Sequence, residues 1–100
     1  RGCRAYLLGN HEIFTCICGC TACFSEESEG MFSVFSLSET STGVSETGVK
    51  YTLTNAKMTN GFPIGVSNEW IGVPAEISVK NGTLLLIYTD KAKETGRRSL

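Results

Sequence analysis

No window of this sequence keeps an apolar stripe at helical spacing. Short runs rich in Val, Ile, Thr, Phe and Tyr alternate with turn residues, and eleven glycines punctuate the chain. Period-two patterning broken every few residues by Gly or Asn specifies strands. Ala5 to Leu8 and Ile13 to Ile17 read as a strand pair around Gly9-Asn10. Met31 to Leu37 is a nearly continuous apolar run, the pattern of a strand buried on both faces. Val49, Tyr51 and Leu53 alternate with Lys50, Thr52 and Thr54, which marks a half-buried strand and gives Tyr51 a core role. Glu76 to Lys80 alternates with Ile77 and Val79 inward. Asn81-Gly82, set between Ile77–Lys80 and Thr83–Tyr88, predicts a tight hairpin, because both residues tolerate positive φ. Asn81-Gly82-Thr83 also spells a glycosylation acceptor, but the hairpin reading accounts for it. Eight or nine short strands indicate a sandwich, jelly roll or barrel.

Two short echoes lie between these runs. Ser38-Glu39-Thr40 returns as Ser45-Glu46-Thr47, and Thr42-Gly43-Val44 returns as Thr47-Gly48-Val49. The spacing is too short for a solenoid repeat, so the stretch reads as one Gly- and Thr-rich loop. Residues 91–100 are polar and read as a frayed tail, leaving 1–90 as one β-domain.

Composition bounds the function. One hundred residues, 41% of them apolar, make one small domain with a core. Nine basic and ten acidic residues are mixed along the chain, which gives no footprint for nucleic acid or an anionic membrane. No apolar run approaches the ~20 residues of a membrane span. The chain opens at Arg1-Gly2-Cys3, so it reads as a fragment. Four of its five cysteines crowd into Cys16-x-Cys18-x-Cys20-x-x-Cys23. Crowded cysteines staple nothing, which suits a reducing compartment and a cytoplasmic location. On a regular strand Cys16, Cys18 and Cys20 share a face. A turn at Gly19 to Ala22 would add Cys23 and gather four thiolates around a soft metal. Cysteine also packs as a small hydrophobe, so metal binding or simple protein association stands as the alternative function.

Catalytic chemistry is thin. His11, the one histidine, sits in a predicted turn and assembles no Ser-His-acid set. Asp90 is the only aspartate, and Glu26, Glu27 and Glu29 read as a solvated turn. No GxxxxGK[ST] phosphate loop is present. The segment alone is expected to perform no nucleotide chemistry.

The blocks Phe35-Ser36-Leu37-Ser38, Thr42-Gly43-Val44, Gly48-Val49-Lys50-Tyr51-Thr52-Leu53-Thr54-Asn55-Ala56, Gly65-Val66-Ser67-Asn68-Glu69-Trp70-Ile71-Gly72 and Ile77–Ile87 follow one another in order. Together they resemble the C-terminal domain of bacterial thiamin pyrophosphokinases. Residues 1–30 match less well, because a Cys-rich hairpin region stands where the family carries an ordinary one. The resemblance implies a β-sandwich of double-stranded β-helix type that binds thiamin and forms much of a homodimer. It implies an enzyme that moves pyrophosphate from ATP to thiamin, giving thiamin diphosphate and AMP. Mg²⁺ and ATP would be held by aspartates of an N-terminal domain that this chain lacks, leaving the fragment alone inactive. By the same resemblance Asn68 would pair with the aminopyrimidine edge, supported by Ser67. Trp70 would stack on a ring or face the thiazolium cation, with a core anchor as its alternative. Glu69 would supply a counter-charge or brace the loop, and Thr42 and Gly43 a loop closing over the ligand, with an ordinary turn pair as the alternative for Ser67-Asn68.

Overall fold

The computed structural model describes residues 6–8, 11–60 and 66–99, with the side chains of 6–8 and 66 left aside. Ala5, the Gly9-Asn10 turn and Gly65 lie outside the described residues. The described strands are β1 (Tyr6–Leu8), β2 (Glu12–Cys18), β3 (Cys20–Phe24), β4 (Met31–Ser36), β5 (Thr40–Thr47), β6 (Leu53–Thr59), β7 (Val66–Glu69), β8 (Ala75–Ser78), β9 (Thr83–Thr89) and β10 (Glu94–Ser99). They form two antiparallel sheets, ordered β1-β2-β9-β4-β7 and β10-β3-β8-β5-β6. The expected all-β sandwich is therefore what forms. Among the described residues no helix is long and apolar enough to cross a membrane.

Alternation builds the core. Ile17, Phe32, Val34, Leu84, Leu86 and Tyr88 point inward from the first sheet. They meet Ala22, Phe24, Val44, Ala75, Ile77 and Val79 from the second. Ile77 and Val79 face inward as their pattern predicts. In β4 the apolar run is not buried on both faces. Phe32 and Val34 are inside, whereas Met31 and Leu37 are 61% and 53% exposed. Antiparallel sheets commonly leave one face open, and β4 does so.

Three expectations fail for a shared reason, the choice of strand partner. Asn81-Gly82 turns no hairpin. β8 pairs with β3 and β5, and β9 pairs with β2 and β4, so the dipeptide crosses between sheets. Only Gly82 has positive φ, at +102°, and an added Cβ there would press on Ser41. The Cys-rich region is likewise no hairpin beyond the paired β1 and β2. At Gly19 (φ +60°) the chain leaves the first sheet at Cys18 and enters the second at Cys20. The tail is also a strand. Glu94–Ser99 pairs along β3, because polar side chains can face water while backbone groups complete a ladder.

The presumed loop at 38–48 is mostly β5. Its echo has structural content. Gly43 and Gly48 both take positive φ, +66° and +72°, and the valine after each is buried. Gly43 bulges the β5–β6 ladder, whose register shifts between Ser41 and Val44. Gly48 ends β5 where a Cβ would overlap the Pro74 carbonyl oxygen.

Candidate functional site

Ser67, Asn68 and Glu69 lie on β7, at the edge of the first sheet beside β4, and Trp70 follows directly after it. Phe32 opposes Asn68, Ser33 opposes Ser67 and Met31 opposes Glu69. Successive residues of a strand face opposite ways. Ser67 and Glu69 thus share the outer face, while Asn68 and Trp70 are turned into the protein, 0% and 6% exposed.

The inward pair does structural work. Trp70 packs on Phe32 at a 4.1 Å centroid distance and on Phe24 at 4.6 Å, and Phe24 meets Tyr88 edge-on at 5.2 Å. Its ring is the centre of the aromatic core, so the core-anchor alternative describes it. Asn68 uses its whole carboxamide within the domain. Its Oδ1 accepts from the backbone N–H groups of Tyr51 and Glu69, both at 2.9 Å. Its Nδ2 donates to the Tyr51 carbonyl at 2.8 Å and to Glu46 Oε1 at 2.7 Å. Two donors and two acceptors exhaust an amide. The pyrimidine edge expected to meet Asn68 would find no free hydrogen-bonding group on it.

That clamp explains residues 49–53. Val49 makes only an isolated bridge to Trp70, and Lys50 N–H donates to the Glu69 carbonyl at 3.0 Å. With Tyr51 held by a side chain, regular pairing resumes at Leu53. Tyr51 is consequently 58% exposed, not core. Lys50 Nζ lies 5.5 Å over the Tyr51 ring centroid and 3.5 Å from Glu69 Oε1.

Sequence reasoning missed Glu46. Its carboxyl is fully buried between the sheets, and Oε2 has no hydrogen-bond partner. Desolvation pushes its pKa up, partly offset by the hydrogen bond from Asn68. Nothing local marks it, since Glu39 in the same Ser-Glu-Thr context is exposed.

The other candidates are not brought to this place. Thr42 and Gly43 are strand residues joined to Lys80 and Asn81 through Thr42 backbone bonds of 2.9 to 3.2 Å. They precede Glu46 on β5 by roughly 10 to 13 Å at ~3.3 Å per residue. A Cβ on Gly43 would collide with the Lys80 side chain, so this glycine's close approach is to the protein itself. The cysteines are dispersed as well. Cys16 is disulfide-bonded, whereas Cys18, Cys20 and Cys23 are free and respectively exposed, buried and half-buried. Cys16 and Cys18 stand on the first sheet and Cys20 and Cys23 on the second. Among the described residues no three His, Cys, Asp or Glu are grouped to hold a metal. His11 is an exposed turn residue paired with Asp90 at 3.2 Å.

Three comparisons bear on this geometry. The family described as thiamin pyrophosphokinase, vitamin B1 binding domain, matches residues 23–84. No curated protein matches the sequence. Among solved structures, thiamine pyrophosphokinase from Bacillus subtilis superposes with a TM-score of 0.71 at 24% identity, over 82% of this chain and 39% of that one. The enzyme from Geobacillus thermodenitrificans gives 0.66 at 28% identity, over 79% and 37%. A family protein from Enterococcus faecalis gives 0.64 at 18% identity, over 80% and 37%. The chain thus spans under two-fifths of the length of these solved relatives. The likenesses below a quarter identity bear on the fold.

Proposed function

We propose that this chain, which belongs to the thiamin pyrophosphokinase family as its vitamin B1 binding domain, holds thiamin beside β7 and residues 49–51. The family match across 23–84 carries the reading, and the site geometry supports it. Ser67 and Glu69 present a hydroxyl and a carboxylate on one outer face. These suit the polar pyrimidine edge and the positive charge of thiamin. Asn68 and Trp70 act from behind by fixing the strand and the Lys50–Tyr51 segment.

The reaction belongs to a longer protein in this reading. That protein transfers pyrophosphate from ATP to the hydroxyethyl oxygen of thiamin, with ATP and Mg²⁺ held by a preceding domain. Asp90, the only aspartate in the sequence, is paired with His11, and among the described residues no three His, Cys, Asp or Glu are grouped to hold a metal. This chain contributes thiamin positioning and subunit pairing, and by itself is inactive. Homodimerisation draws support from the outer face of the first sheet, where half-buried Phe14, Phe35, Leu85 and Ile87 lie on adjacent strands. Cytoplasmic location belongs to the same reading; Cys18, Cys20 and Cys23 are free thiols, whereas the disulfide at Cys16 departs from the expectation that the crowded cysteines staple nothing.

Calorimetric titration with thiamin tests the proposal. Saturable binding is expected, weakened about fivefold by Ser67→Ala, the order of one neutral hydrogen bond. Absence of binding at millimolar thiamin by the folded chain would refute it.

A further inference from the structure

β7 is an edge strand of four residues, and β4 is its one ladder neighbour. A short strand paired along one side opens easily unless something else holds it. The Asn68 amide supplies that second attachment. Three of its four hydrogen bonds go to the segments it organises, at the Tyr51 N–H, the Tyr51 carbonyl and the Glu69 N–H. The fourth runs from Nδ2 to Glu46 Oε1 at 2.7 Å, and it alone reaches a strand of the second sheet. Glu46 is fully buried, so this tie passes through the interior of the sandwich.

We infer that Glu46 is a positioning residue for thiamin: it anchors the Asn68 amide to the second sheet, and through it the Ser67–Glu69 face and the backbone at residues 50–51. This inference rests on the thiamin-binding reading above. Glu46 acts through Asn68 and touches nothing outside the protein, because its carboxyl lies between the sheets. The tie requires only an acceptor, so a neutral side chain can make it. The interior also favours the neutral form. Oε2 has no hydrogen-bond partner. Leu53 on β6 and Ile77 on β8 are the register partners of Glu46, and Asn68 meets it from β7. None of the three titrates. The ionisable side chains of those strands offer no counter-charge. Lys57 is exposed, while Glu69 and Glu76 are half exposed and paired with Lys50 and Arg98. Burial raises the Glu46 pKa, with the Asn68 bond opposing in part. Ionisation therefore works against the closed arrangement. A proton held in the closed form and released on opening links thiamin affinity to pH. Affinity is full at low pH and falls as pH rises through the folded-state pKa.

Calorimetry with thiamin on the folded chain, at pH 5 and at pH 8, tests this with two variants. Glu46→Gln keeps an acceptor and cannot ionise. It should match wild type at pH 5 and bind about threefold to tenfold more tightly at pH 8, the scale of up to one unit of proton linkage. Titration of thiamin itself is common to both proteins and cancels in the ratio. Glu46→Leu fills the space without an acceptor and should bind about threefold to tenfold more weakly at pH 5, the scale of one lost hydrogen bond. Amide hydrogen exchange separates this effect from general destabilisation. In Glu46→Leu, protection should fall at Tyr51 and Glu69 while the central strand β9 keeps its own. If thiamin binds and Glu46→Leu matches wild type in affinity and in exchange, the positioning role is refuted and the thiamin reading stands. If Glu46→Gln follows the wild-type pH profile, the proton linkage is refuted. Binding by neither wild type nor Glu46→Gln at either pH would remove the thiamin reading, and this inference with it.

Discussion

Glu46 and Asn68 show how one buried pair shapes a surface. Glu46 accepts from Nδ2, which fixes the amide so that Oδ1 faces the Tyr51 and Glu69 N–H groups. A neutral side chain can keep that bond, so charge is a burden here. The raised pKa means that protonation favours the folded state. Its stabilising effect is full below the ordinary value of 4.5 and is lost as pH rises through the folded-state pKa. Glu46→Gln should therefore raise stability by about 1 kcal/mol at pH 8, with the difference shrinking towards pH 4. Urea denaturation at the two pH values measures it. A larger gain at pH 4 would reverse the argument. Tyr88 is the second case. Burial first, then the charge and hydrogen bond of Glu94, push its pKa up to about 12, with Arg97 opposing. Below pH 10 it is neutral in both states. Between 10 and 12 the unfolded chain ionises first and stability falls. The alkaline absorbance titration should show a phase near 12 that Tyr88→Phe removes.

Among the elements, β10 has the largest consequence for the sandwich. Arg97 reaches from it across to β2 and donates to Thr15 Oγ1 at 2.7 Å and the Cys16 carbonyl at 2.9 Å. Glu94 holds the guanidinium at 2.6 Å and also accepts from Tyr88 OH at 3.3 Å. The strand thus covers the β3 edge and ties the two sheets together. Charged hydrogen bonds of this kind contribute about 1.5 to 3 kcal/mol. Arg97→Ala should cost about 2 kcal/mol by urea denaturation, because Thr15 is buried and loses its partner. A loss below ~0.5 kcal/mol would show that water replaces the contact.

At the scale of the molecule, the two sheet faces differ. The inner faces are filled by the aromatic and aliphatic core, while the outer face of the first sheet keeps Phe14, Phe35, Leu85 and Ile87 half-buried. A second copy covering that face is the dimer expected under the proposed function. Sedimentation velocity should then show a dimer, and Ile87→Lys should convert it to a folded monomer by burying a charge without a partner. A wild-type monomer at high micromolar concentration would exclude pairing through this face.

The strand content was legible because period-two patterning and turn residues are local properties. Ile77 and Val79 could be turned inward without coordinates, and the ordered blocks carried the family resemblance. The side chains of the Asn68 block were read as ligand contacts, with a core anchor as the alternative for Trp70, and alternation turns Asn68 and Trp70 inward. Strand partners were not legible. Asn81-Gly82 looks the same whether it closes a hairpin or crosses between sheets, and residues 94–99 look like a tail until β3 offers an edge. Glu39 and Glu46 make the point most directly. Both stand in Ser-Glu-Thr, yet one is exposed and the other fully buried. The sequence alone determined that this chain folds into strands and resembles a thiamin-binding domain. Only the tertiary structure decided which polar groups lie between the sheets, because burial depends on pairing between distant segments rather than on neighbours in the chain.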